Sequence, residues 1–136
     1  MSIASRSLLT LSAVVLASGA VIHALALPHA VAVAARSTLP PFFSGAFEAL
    51  WACDSITSAG LAIALLAIAW FPGIAARSVV IILALPLFGF SLALFATMGN
   101  FFPTYLNLAA AVATLAGGLL HRNSGRDRAS FPICVR

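Results

Sequence analysis

Four apolar stretches, each about twenty residues long and nearly free of charge, constrain this chain more than any other feature. They run from Leu8 to Leu27, Phe47 to Trp70, Val79 to Met98 and Pro103 to Leu120. An α-helix rises about 1.5 Å per residue, so roughly 20 residues match the hydrocarbon core of a bilayer. Backbone polar groups in that core are satisfied only inside helices or closed barrels, and long unbroken apolar runs select helices. Composition agrees: 62% of the 136 residues are hydrophobic and 7% are charged, against about 25% charged in a soluble domain. There is too little polar surface to cover a water-soluble fold of this size. The expectation is an all-α, integral membrane four-helix bundle in up-down-up-down order. Residues 1–121 form its single domain, and 122–136 form a polar cytoplasmic tail.

The basic balance carries topology. All seven basic residues are Arg, and they flank the apolar runs, with no basic cluster interleaved with aromatics. Nucleic acid is therefore excluded as a partner. With four spans, Arg6, Arg77, Arg122, Arg126, Arg128 and Arg136 share one side and only Arg36 lies on the other. The positive-inside rule then places both termini in the cytoplasm and the protein in the inner (plasma) membrane as a multi-pass protein. A competing reading takes Arg6, the run from Leu8 to Ile22 and Ala24-Leu25-Ala26 as a cleavable signal peptide, which leaves three spans. The Arg asymmetry fits four spans better.

Local signals mark the boundaries. Pro72-Gly73 reads as a turn after Trp70 and Phe71, and Gly99-Asn100 closes the third helix. Pro103 suits the first turn of the fourth. The segment from His29 to Ala35, beyond Pro28, is either a helical extension or an interfacial turn. Short connections make successive helices antiparallel neighbours. Two rows of small residues, Ala109–Ala113–Gly117 and Ala110–Thr114–Gly118, nominate the fourth helix as a packing element. Pro86 removes one backbone hydrogen bond from the third helix and is read as a packing feature. The two cysteines, Cys53 and Cys134, form no C-x-x-C pair and are read as structural.

The chemistry rests on few side chains. Of three acidic residues, Glu48 and Asp54 fall in or near the second span. An ionisable group in hydrocarbon costs about 2.5–3.5 kcal/mol even on lenient scales, so it needs a partner, the bundle interior or the interface. His23 and His29 on the first helix face the same demand. In an antiparallel hairpin, His29 with Glu48 and His23 with Asp54 fall in one register, about 9 Å apart in depth. Six residues rotate a helix by 240° net, so at most one pair points straight across. The deeper pair, His23–Asp54, is the favoured one, with Thr57 and Ser58 on the face of Asp54 and Trp51 one turn before it. Such a pair either tunes a proton-accepting or ligand-orienting site or locks helix register. Asn100 or Thr104 is read as a helix cap and Tyr105 as an interfacial aromatic. With Asn107, His29, Glu48 and Trp51 they are also the residues available to ring an outer mouth. The histidines lack the same-face spacing of helical metal sites, so haem and metal are rejected, and no cofactor is expected.

Phe47-Glu48-Ala49-Leu50, the run through Gly60 to Ala69 and Ala75-Ala76-Arg77 resemble the DoxX-like group of small four-helix bacterial membrane proteins. The similar layout covers about a third of the chain, and Asp54-Ser55-Ile56-Thr57 departs from the group's small-residue pattern. The resemblance implies a four-helix bundle, with some relatives acting as accessory subunits of quinone-coupled oxidation.

The leading functional expectation is a non-enzymatic membrane protein, either an accessory subunit or a binder of lipid or quinone between helices. A small proton-coupled transporter using Asp54 or Glu48, dimeric in form, is the second. A membrane enzyme acting on an isoprenoid-type lipid, with His23, Asp54 and Glu48 as acid–base groups, is the third. The partners open to the chain are membrane lipid, a quinone, a larger membrane complex and a second copy of itself.

Overall fold

The computed structural model describes residues 1–121. The polar tail 122–136, with Arg122, Arg126, Arg128, Arg136 and Cys134, lies outside the described residues. Four helices account for nearly all of the rest: α1 Ile3–Ala35, α2 Pro41–Trp70, α3 Arg77–Met98 and α4 Phe102–Leu119. Each is long and apolar enough to cross a membrane.

Their ends follow local chemistry. The Ser2 hydroxyl accepts the Ser5 N–H at 3.1 Å and caps α1, satisfying one of the orphan donors of a helix start. Pro41 opens α2, where its missing N–H leaves nothing unpaired. This starts α2 six residues before Phe47, the boundary expected from hydropathy, because Phe42 and Phe43 continue the helix without a breaker. Gly99 ends α3 with φ +66°, a conformation natural to glycine, while its N–H donates to Phe95 O at 2.9 Å. The N-cap of α4 is Phe101, with no side-chain cap bond. Neither Asn100 nor Thr104 caps that helix, correcting the sequence expectation. Pro28 and Pro86 are both accommodated within continuous helices. His29 to Ala35 is thus an extension of α1 by two turns.

Three helix pairs pack along their lengths: α1 with α2, α1 with α4, and α3 with α4. α2 and α3 are consecutive but are not among them, so this expected neighbour pair makes at most slight contact. The physical reason lies in where the close-approach residues sit. Gly117 and Gly118 of α4 face opposite partners. A Cβ on Gly117 would stand 2.8 Å from Leu9 of α1, and one on Gly118 would stand 3.2 Å from the Ile81 backbone nitrogen of α3. α4 therefore draws both α1 and α3 onto itself. Between α1 and α4, Ser5 Oγ donates to Gly117 O at 2.7 Å and Ser12 Oγ donates to Ala110 O at 2.9 Å, while Ser12 and Thr114 hydroxyls lie 2.7 Å apart. Of the two small-residue rows, Ala110, Thr114 and Gly118 are all buried, whereas Ala109 at the head of the other is exposed.

The core gathers at one end, the base of the bundle. Leu9, Ala13 and Leu16 meet Leu65, Ile68 and Ala69 of α2, Val80 and Leu87 of α3, and Ala110 and Ala111 of α4. At the base, the Arg6 guanidinium lies 5.4 Å over the Trp70 ring. Buried His121 joins two more segments, with Nδ1 3.3 Å from Met1 Sδ and Nε2 3.2 Å from Ala75 O.

Away from the base, the helices differ in reach. From Ser5 to Ser12 is seven residues forward on α1, and from Gly117 to Ala110 is seven residues back on α4. Continuing that register sets Phe102, the first residue of α4, level with Ala20. The last 15 residues of α1 and the facing part of α2 thus extend past α3 and α4 by roughly 20 Å. Among α2 residues, the buried ones begin only at Ala62.

Candidate functional site

The face of α2 turned toward α1 is a stripe at three- and four-residue spacing: Ser44, Glu48, Trp51, Ser55, Ser58, Ala62, Leu65 and Ala69. It grades from partly to fully buried toward the base. Halfway along it lies the polar cluster. His23 Nδ1 is 3.3 Å from Asp54 Oδ2 and 3.0 Å from Ser55 Oγ. The Trp51 indole stacks on the His23 ring, with centroids 4.0 Å apart and planes at 4°. Trp51 Nε1 donates to His23 O at 2.8 Å, and Ser55 Oγ donates to Trp51 O at 3.3 Å. Phe47 leans on the Trp51 ring at 5.4 Å. Every contact ties α1 to α2 or fixes a side chain that does. His23 and Asp54 are 31% and 25% exposed at their side chains, so the pair remains accessible.

Outward of this cluster a groove of about 400 Å³ opens between the two helices. Ala26, Ala30, Val33 and Ala34 form its α1 wall, and Phe47 and Trp51 form its α2 wall. His29, Ser37 and Leu39 complete the lining. The Ser37 hydroxyl is already committed, donating to Ala34 O at 2.6 Å and accepting the Leu39 N–H at 3.3 Å. The groove is therefore apolar and aromatic, with one polar ring in its lining, His29. Alanines make it possible, because a larger side chain at Ala26 or Ala30 would fill the space against Trp51.

The remaining sequence candidates fall elsewhere. His29 and Glu48 sit at matching levels but make no hydrogen bond or ion pair with each other among the described residues; His29 borders the groove, and Glu48 lies on the seam stripe. Thr57 is exposed and joins no cluster among the described residues. Tyr105 OH donates to Asn100 Oδ1 at 2.8 Å, and Asn107 Nδ2 donates to Pro103 O at 3.1 Å. Both bonds are local to α4 and the turn before it. The expected outer ring of Asn100, Thr104, Tyr105 and Asn107 with His29, Glu48 and Trp51 does not form, since α4 ends well short of the groove. Thr104 is buried with no hydrogen-bond partner for its hydroxyl among the described residues. Ser55 is the functional-site residue that sequence reasoning misses in favour of Thr57 and Ser58. A signal for it exists: Ser55 is one turn after Trp51, on the stripe that continues to Ala62.

Among the described residues, no group of three or more His, Cys, Asp or Glu side chains has the arrangement to hold a metal ion. Compared with protein-family models, with characterised proteins and with solved structures, the chain matches none.

Proposed function

We propose that this chain is a small, non-enzymatic, multi-pass inner-membrane protein that holds a lipid- or quinone-class amphiphile in the groove between α1 and α2, as an accessory subunit does. The observation carrying this reading is the groove itself, with an aliphatic wall on α1, an aromatic wall on α2, and Trp51 linking its inner end to the polar cluster. Small-molecule sites are typically apolar concavities with a few placed polar groups.

The membrane placement that goes with it is an up-down-up-down bundle with both termini cytoplasmic. Its support is that Met1, Arg6, the Pro72–Ala75 turn and His121 gather at one end, with Arg77 beside them, whereas Arg36 lies at the other. A bilayer about 30 Å thick, entered at Arg6, ends on α1 close to Ala26. The cluster then lies just inside the outer interface and the groove opens at it. The DoxX-like layout of Phe47 to Arg77 points toward the same kind of role.

The test is purification in native lipid discs followed by lipid mass spectrometry, comparing wild type with Ala30→Phe, which fills the groove. A molecule retained by wild type and depleted at least tenfold in the variant is the expected result. Equal lipid profiles in the two proteins would remove the groove from function.

A further inference from the structure

The contacts around His23 engage one ring nitrogen and leave the other edge free. Ser55 Oγ lies 3.3 Å from the Trp51 carbonyl oxygen and 3.0 Å from His23 Nδ1, and when its hydrogen goes to the carbonyl it accepts from His23. Asp54 Oδ2 also approaches Nδ1. With its hydrogen on Nδ1, the ring donates toward both oxygens at once, and we adopt this tautomer. Nε2 is then the unprotonated nitrogen. It has no partner among the described residues and is not one of the enclosed unsatisfied atoms there, which are Thr10 Oγ1 and Thr104 Oγ1. The ring cannot turn away, because Trp51 is stacked on one face of it and anchored to its backbone.

We propose that His23 Nε2 is the hydrogen-bonding point for the head of the amphiphile, and that the head is neutral and carries a hydroxyl or carbonyl oxygen. This rests on the groove reading above. Trp51 links the two features, since it lines the groove and lies against His23. A hydroxyl head donates to the bare Nε2. A carbonyl head accepts from Nε2 once that nitrogen is protonated, with Asp54 on Nδ1 as the counter-charge. An anionic head is disfavoured at this end, because Asp54 lies 3.3 Å from Nδ1 of the same ring and, when ionised, repels a phosphate or carboxylate there. Among the described residues, the arginine at this end is Arg36, at the outer rim of the groove between the lining residues Ala34 and Ser37, thirteen residues from His23. The inner end therefore selects uncharged oxygen over phosphate.

The experiment uses full-length protein with Trp70→Phe in phosphatidylcholine nanodiscs, so that emission reports Trp51. It is titrated separately with a short-chain benzoquinone (carbonyl head), dioctanoylglycerol (hydroxyl head) and dioctanoyl phosphatidic acid (anionic head). Saturable binding of at least one neutral probe, with the anion at least tenfold weaker, is expected; which neutral probe binds identifies the head. His23→Asn retains an amide N–H near the place of Nδ1 and deletes Nε2. It should weaken the neutral probe by about tenfold, the loss of one hydrogen bond, while leaving the melting temperature within a few degrees. Unchanged affinity in His23→Asn, or an anion binding as tightly as the neutral probes, overturns the head assignment. If Ala30→Phe still abolishes binding in that case, the groove reading survives alone. No saturable binding of any probe to wild type sinks both.

Discussion

Single side chains at the α1–α4 seam show how polar atoms hold this protein together where burial of apolar surface against lipid gives little. Ser12 Oγ serves Ala110 O and Thr114 Oγ1 at once, in a position with no exposure. Interhelical hydrogen bonds in bilayers contribute about 0.6 kcal/mol on average, rising to about 1.7. Ser12→Ala should destabilise the protein by about 0.5–1.5 kcal/mol in bicelle unfolding. Ser12→Val should cost more, since it adds bulk to a site already in contact with α4. Equal stability of all three proteins would show that the hydroxyl network is incidental. At this scale His23 and Asp54 are recognisable as partners from register alone. Ser55 is not, because sequence spacing gives the face of Asp54 but not which of its neighbours turns toward α1.

At the scale of elements, α4 is the shortest helix and the one that organises the base. Its two adjacent glycines bring α1 and α3 to different sides, at distances where a Cβ on Gly117 collides and one on Gly118 is in tight contact. Gly117→Ala should lower stability by about 1–3 kcal/mol, because the added Cβ would stand 2.8 Å from the side chain of the fully buried Leu9. Gly60→Ala is the matched control: nothing lies within 4 Å of its Cβ position, and removing glycine from a helix interior adds up to about 1 kcal/mol. Thermal unfolding in detergent should separate the two variants in opposite directions; a shared direction would contradict the packing described. The rows of small residues mark α4 as a packing element from their spacing alone. They do not show that one glycine serves α1 and the other α3, since adjacent positions on a helix diverge by about 100°.

For the molecule as a whole, uneven helix length matters most. α3 and α4, of 22 and 18 residues, match a hydrocarbon core, while α1 and α2, of 33 and 30 residues, exceed it by several turns. All four helices are compact only at the base, and the α1–α2 hairpin carries the groove beyond the ends of the other two. The proposed orientation makes a direct prediction. In a background with Cys53→Ser and Cys134→Ser, Ser37→Cys should react in intact cells with a membrane-impermeant maleimide, and Ser2→Cys should react only after lysis. Both sites are exposed in the structure. Labelling of Ser2→Cys from outside would reverse the topology and place the groove on the cytoplasmic side.

Hydropathy and helix punctuation by themselves determined four apolar helices and the approximate ends of α3 and α4, because helix length against bilayer thickness is a one-dimensional constraint. They also brought His23 level with Asp54, since depth in a hairpin depends only on residue number. Tertiary structure decided which faces meet: that α2 and α3 make at most slight contact, that Ser55 completes the cluster, that His29 and Glu48 do not pair with each other, and that alanines leave a groove beside Trp51. Those outcomes depend on helix rotation and on space left by small side chains facing each other across a seam. A linear pattern records neither.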